Sequence, residues 1–195
     1  MSQAVNEVMF GKIGRLKDTY RYSAQPVIAR ENVAEHSFWT AMIAITIAYE
    51  VERSVVPEVA LKALLHDIEE CMTGDLVREM KYATQEFREA VKKVERMFIG
   101  TLLEDLGETG ANIFTVWEKA KNNTLTGQIV GLADLLSVIS FCTKEFELGN
   151  TNLEEVRKNC SELVVQKYGI GPLSDIAIDS VNESYRRWPI PNAGS

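Results

Sequence analysis

Glu31-Asn32-Val33-Ala34-Glu35-His36-Ser37 leads into a run, Phe38 to Val51, in which Glu50 is the single charged residue. Asn32 followed three residues later by Glu35 is a capping signal, so a helix is expected from Val33 to about Val51. Upstream, Phe10, Ile13, Leu16 and Tyr20 recur at helical spacing and predict a helix over about 4–20. Arg21 to Asn32, with Ser23 and Pro26, reads as a connecting loop. Downstream, Pro57 opens a third helix, which runs through Leu61, Leu64, Leu65 and Ile68 and stops near Thr73-Gly74. Leu76 to Leu106 is a long amphipathic stretch with a break expected near Gly100, and Gly107 and Gly110 mark a turn before a shorter helix around Trp117. Thr126 to Leu148 is the most apolar helix, closed by Gly149-Asn150. Helices over about 151–167 and 172–187 follow, then a loose tail, Pro189 to Ser195. No segment reads as a strand. The expected fold is all-α, one domain over residues 1–188 with the tail at 189–195.

Composition agrees with one core. The chain has 195 residues, 46% of them hydrophobic and 25% charged, enough to bury a substantial interior. A net charge of -7 argues against a broad phosphate-backbone footprint, so nucleic acid is not an expected partner. A small anionic ligand needs only a few local Arg and Lys residues. Cys71, Cys142 and Cys160 show no CxxC spacing and leave one over, the pattern of reduced thiols filling helix faces. Met1 to Glu7 lacks the basic start and apolar core of a secretory leader. The apolar stretch Phe38 to Tyr49 is too short, and too interrupted by Thr, to span a bilayer. A cytoplasmic protein without membrane contact is expected. Trp39, Met42 and Trp117 are read as core residues, with a subunit interface as the alternative.

The chain contains two histidines, His36 and His66. His66 precedes Asp67, and Asp134 interrupts an apolar run, Val130-Gly131-Leu132-Ala133-Asp134-Leu135-Leu136. Imidazole nitrogens and carboxylate oxygens hold divalent transition metals while leaving room for water and substrate. Three helices of one bundle can direct such side chains at one interior point. Taken singly, each has an ordinary reading: His36 as a partner for a carboxylate, Asp134 as an exposed edge residue. A buried Asp134 would need a metal or a basic partner, because an unpaired carboxylate costs several kcal/mol to bury. Adjacent helical residues point about 100° apart, so His66 and Asp67 would have to straddle an ion rather than share a stripe. Glu70, three residues beyond Asp67 and four beyond His66, falls on the same face and could activate a water or protonate a leaving group.

The order His36, His66-Asp67, Asp134 resembles that of the HD-domain phosphohydrolases, an all-helical superfamily, and within it the 5'-deoxynucleotidase branch. The segments that carry the resemblance are Glu31 to Ser37, His66 to Leu76, Lys81-Tyr82 and Ala133-Asp134-Leu135, within about Arg15 to Asn150. The resemblance implies that His36, His66, Asp67 and Asp134 bind one divalent cation, cobalt or manganese being favoured, with zinc and magnesium as alternatives. It implies Glu70 acting on the attacking water, Arg21 orienting the substrate phosphate, and Asp75 near the sugar hydroxyl, with a catalytic role in proton transfer as its alternative. Arg78 and Lys81 fall in the adjoining substrate-contact segment. For Arg21 the ordinary reading is a solvated charge, and for Asp75 a helix cap.

Two positions depart from the family pattern. Tyr22 stands where the family places a tryptophan against the sugar, which puts the rejection of ribonucleotides in question. Leu76-Val77-Arg78-Glu79-Met80 lacks the family's prolines, and Arg78 adds a positive charge suited to a longer phosphate chain. The expected activity is hydrolysis of nucleoside 5'-monophosphates by a homodimer. A deoxynucleoside triphosphate triphosphohydrolase of the same fold, and a non-catalytic metal- or nucleotide-binding helical module, are the alternatives.

Overall fold

A computed structural model describes residues 3–81 and 83–188, with the side chains of Gln3, Met9, Arg78 and Glu79 left out. The tail expected over 189–195 lies outside the described residues, as does Tyr82. The described elements are α1 Gln3–Phe10, α2 Val33–Val51, α3 Val56–Leu65, α4 Glu70–Thr73, α5 Arg78–Lys81, α6 Gln85–Glu104, α7 Gly107–Glu118, α8 Leu125–Glu147, α9 Glu154–Tyr168 and α10 Ser174–Arg187. Short 3-10 helices cover Lys12–Lys17 and Arg53–Val55. No strand is present among the described residues; Tyr20 and Asn32 form one isolated antiparallel bridge.

The capping box predicted at Asn32 is formed: its side chain accepts from the Glu35 N–H while the Glu35 carboxylate accepts from the Asn32 N–H. Three expected boundaries are corrected. The first helix ends at Phe10, Gly11 separating it from the 3-10 turns. Helix α6 runs unbroken through Gly100. Gly110 lies inside α7, where an added Cβ would collide with the Leu103 carbonyl oxygen, so it permits the close approach of α6 and α7. The turn itself belongs to Gly107, at φ 58°.

The main core joins α2, α3, α8, α9 and α10 through residues such as Ala44, Ile47, Val59, Ala63, Ile129, Leu132, Val164 and Ala177. A second cluster, around Ile68, Cys71, Ile99, Leu102 and Leu103, seats the segment that follows α3 on α6. Helix α8 is long and apolar enough to cross a bilayer by length and composition, but 72% of its most apolar window is buried inside the protein. It is the central core helix. The three cysteines are buried, and no disulfide is formed among the described residues.

The loop after the 3-10 helix is pinched at its base, where Arg21 N–H donates to the Glu31 carbonyl (2.9 Å) and Val33 N–H to that of Thr19 (2.9 Å). Its far side docks on the end of α8: the buried Glu145 carboxylate accepts from the N–H groups of Ile28 (2.8 Å) and Ala29 (2.6 Å) and from Asn150 Nδ2 (2.6 Å). Burial pushes the Glu145 pKa up, but these three donors outweigh it and hold the carboxylate below its ordinary value. Glu145→Gln is therefore expected to lower stability by about 2–4 kcal/mol, read from denaturant unfolding at neutral pH. A depressed carboxylate stabilises the fold fully above its unfolded pKa, about 4.3, and loses that contribution as pH falls through the folded value. The gap between variant and wild type should accordingly close in acid; a constant gap down to the acid transition would remove the charge-based explanation.

Candidate metal centre and substrate pocket

His36 sits on the second turn of α2, fully buried, where the capped helix start leaves little freedom. His66 and Asp67 follow the last residue of α3. There the chain turns more tightly than an α-helix, with Ile68 N–H donating to the Leu65 carbonyl and Glu70 N–H to that of Asp67. The imidazole Nδ1 of His66 is 2.7 Å from the Ala63 carbonyl oxygen, an acceptor that fixes the proton on Nδ1. This departure from α geometry brings His66 Nε2 within 2.9 Å of Asp67 Oδ2, although neighbouring helical residues would diverge. Asp134 projects from the middle of α8.

These four side chains meet. His36 Nε2 is 3.1 Å from Asp134 Oδ1 and 3.7 Å from Asp67 Oδ2, and His66 Nε2 is 3.8 Å from Asp134 Oδ1. Ligand atoms held about 2.0–2.2 Å from one ion stand roughly 2.8–3.6 Å apart; the separations of 2.9 and 3.1 Å fall within that range and those of 3.7 and 3.8 Å just beyond it. His66 Nε2 is buried and faces Asp67 and Asp134. Two imidazoles and two carboxylates with this spacing fit a divalent cation. The protonation states agree for His36, which burial and Arg21 push down to about 4, so its ring is neutral near pH 7. At His66 the neighbouring carboxylates, Asp67 first, overcome burial and draw the pKa up to about 9, so a metal ion bound here displaces the second proton that the ring otherwise holds near pH 7. His36 Nδ1 is oriented from behind by Ser137 Oγ at 3.1 Å, with Glu31 Oε2 at 4.0 Å.

Beside the cluster opens a cavity of about 430 Å³, lined by Arg21, Tyr22, Asp67, Glu70, Asp75, Lys81, Lys121 and Asp134 among others. Glu70 is buried, and its Oε2 has no hydrogen-bond partner. Burial, with Asp67 and Asp75 nearby, raises its pKa well above the ordinary carboxylate value. Its neighbour Glu69 is held by Trp117, whose Nε1 donates to Oε2 at 2.6 Å. Arg21 is not the solvated charge that a bare sequence allows: its side chain is 12% exposed and pairs with Glu31 at 2.8 Å. Asp75 accepts from the Tyr22 N–H at 3.2 Å, bracing a residue whose backbone is left-handed at φ 58°. The Tyr22 ring stacks flat on Phe141, 4.5 Å between centroids, with its hydroxyl buried and unpaired. Lys81 lines the cavity but is engaged by Glu95 at 2.7 Å. The Arg78 side chain lies outside the described residues.

Two site neighbours escaped the sequence reading. Trp117, read as core, packs on the second cluster and in addition holds Glu69. Lys121, whose Nζ is 2.7 Å from Asp134 Oδ2 and 3.3 Å from Asp67 Oδ1, lies far from both ligands in the chain and gave no signal. Ser137 also went unread, although its place three residues after Asp134 puts it on the same helix face. Trp39 and Met42, also read as core, are 48% and 43% exposed, on the outer face of α2 with Phe38 and Tyr49.

A helical fold that gathers His, His-Asp and Asp in this order around one point defines the class of HD-domain phosphohydrolases. Comparisons with known proteins narrow it. The family model for YfbR-like 5'-deoxynucleotidases matches residues 8–170. A 5'-deoxynucleotidase of Erwinia tasmaniensis is 27% identical over 169 residues, 84% of this chain and 85% of that protein. A 5'-deoxynucleotidase of Photorhabdus temperata is 30% identical over 156 residues, 76% and 79% of the two chains. Among solved structures, an HD-domain phosphohydrolase of Listeria innocua superposes with TM-score 0.77 at 21% identity, covering 90% of this chain and 87% of that one. The cyanophage S-2L HD phosphohydrolase, bound to dA and one catalytic Zn2+, superposes with TM-score 0.65 at 13% identity, covering 90% and 95%. The chain belongs to the YfbR-like 5'-deoxynucleotidase family.

Proposed function

We propose that this protein hydrolyses deoxynucleoside 5'-monophosphates to nucleoside and inorganic phosphate, with one divalent cation held by His36, His66, Asp67 and Asp134. The observation that carries the reading is the convergence of these four side chains beside a cavity containing a buried glutamate and a buried arginine. When bound, a divalent cation polarises water and offsets charge on phosphoryl oxygens. Glu70, raised in pKa and unpaired, takes the proton of the attacking water. Arg21 presents a planar fork of donors, of which Nη1 is committed to Glu31, and the remainder bind the phosphate. Asp75 steadies Tyr22 and stands near the sugar hydroxyl, while Lys81 contacts substrate from the adjoining wall.

Two imidazoles and two carboxylates suit borderline transition cations, and cobalt or manganese is the favoured occupant. Residues 1–188 act as one HD domain in the cytoplasm. The exposed apolar residues of α2, Phe38, Trp39, Met42 and Tyr49, supply a face for a second copy in a homodimer.

The test is turnover by protein stripped of metal and resupplied with cobalt, manganese, magnesium or zinc. Ribo- and deoxynucleoside mono- and triphosphates are the substrates, phosphate and triphosphate being quantified separately. Metal-dependent phosphate release from deoxynucleoside monophosphates is expected. Triphosphate release would make the protein a triphosphohydrolase, and silence with every metal would leave a binding module.

A further inference from the structure

The two aspartates of the cluster are each divided between two neighbours. Asp67 Oδ2 and Asp134 Oδ1 face the imidazoles, whereas Asp67 Oδ1 and Asp134 Oδ2 face the ammonium of Lys121, at 3.3 and 2.7 Å. One lysine thus spans carboxylates that come from two different elements. Its position is built. Residues 119–124 turn back after α7, with Ala120 N–H donating to the Trp117 carbonyl (3.0 Å) and Asn122 N–H to that of Lys119 (3.4 Å). Asn122 Oδ1 accepts from the Thr124 N–H (3.2 Å) and hydroxyl (2.5 Å), and Thr124 in turn caps α8. Gly127 lets this turn press against α8, since a Cβ there would collide with the Asn122 carbonyl oxygen. Ala120 is buried under the turn and anchors it.

We propose that Lys121 is a positioning residue of the metal centre, occupying the outer oxygen of both aspartates so that each offers a cation a single oxygen. A carboxylate with its second oxygen free can rotate to ligate through both, raising the coordination number and closing positions that water and phosphate need. An ammonium donates up to three hydrogen bonds, and two suffice here. An isolated lysine–aspartate pair at a surface contributes little. The function of this pair is the partition of oxygens, and the inference rests on the metal-centre reading above.

The experiment loads Co2+ into the protein and records its visible absorption, which is several-fold stronger for four- and five-coordinate than for six-coordinate cobalt. Wild type is expected to bind Co2+ with the intense, low-coordinate band. K121M should still bind Co2+, with the band several-fold weaker, and K121R, whose fork spans both aspartates, should restore it. Melting curves of the same samples check that all are folded; if K121M is not, K121Q is read in its place. A folded K121M with an unchanged band overturns the role of Lys121 and leaves the metal centre standing. Failure of wild type to bind Co2+ overturns both.

Discussion

His66→Ala is expected to leave a folded protein that retains no metal after desalting and has lost turnover by about 10³-fold or more. The magnitude follows from the several kcal/mol a bound cation contributes to phosphoryl chemistry, each 1.36 kcal/mol being a factor of ten. His66 is the sharpest probe because each of its nitrogens has a defined setting. Nδ1 is fixed on the Ala63 carbonyl, and Nε2 is buried with the two aspartates as its neighbours. Metal content by elemental analysis, beside far-UV circular dichroism, separates loss of the site from loss of the fold. A variant that keeps stoichiometric metal would remove His66 from the ligand set and with it the geometry argued above.

Glu70→Ala makes the complementary case. Metal content should remain that of wild type, while kcat falls by about 10²–10⁴-fold, the contribution of a positioned general base, with KM little changed. The reason lies in where the carboxylate stands. It lines the cavity, is buried, has an unpaired oxygen, and is raised in pKa by burial and by Asp67. A neutral or weakly basic residue without a partner is costly inside a protein unless something else meets it there. Full activity in the variant would sink this assignment, and joint loss of metal and activity would recast Glu70 as a ligand.

Much of this was legible in the chain, for identifiable physical reasons. Helices α2 and α8 were marked by local signals, a capping box at Asn32 and a glycine stop at Gly149, which act over a few residues and so survive in the sequence. The convergence of His36, His66, Asp67 and Asp134 was legible because histidine is used twice and the three segments fall in a known order. What failed depended on tertiary contact. Gly110 was read as a turn because a glycine that admits a neighbouring backbone looks the same in sequence as one that adopts positive φ. His66 and Asp67 could share a target only through the tight turn after α3. Trp39 and Met42 were placed inside because apolar character says nothing of which face a helix buries. Lys121 is one of several lysines until the 119–124 turn is folded against α8.

Helix α8 carries Asp134 in its middle and Glu145 near its end, about 16 Å apart at 1.5 Å per residue. The first belongs to the His36–His66–Asp67–Asp134 cluster; the second holds the loop from which Arg21 reaches the same cavity. The helix therefore works as a measuring rod that sets where Arg21 stands relative to the four-residue cluster, which under the proposed function is the distance between phosphate and activated water. Between these two points the residue count matters as much as the side chains, such as Ser137 and Phe141, that touch His36 and Tyr22. Deleting one residue there would shorten the rod only slightly, yet swing Glu145 about 100° around the axis and away from the loop it holds.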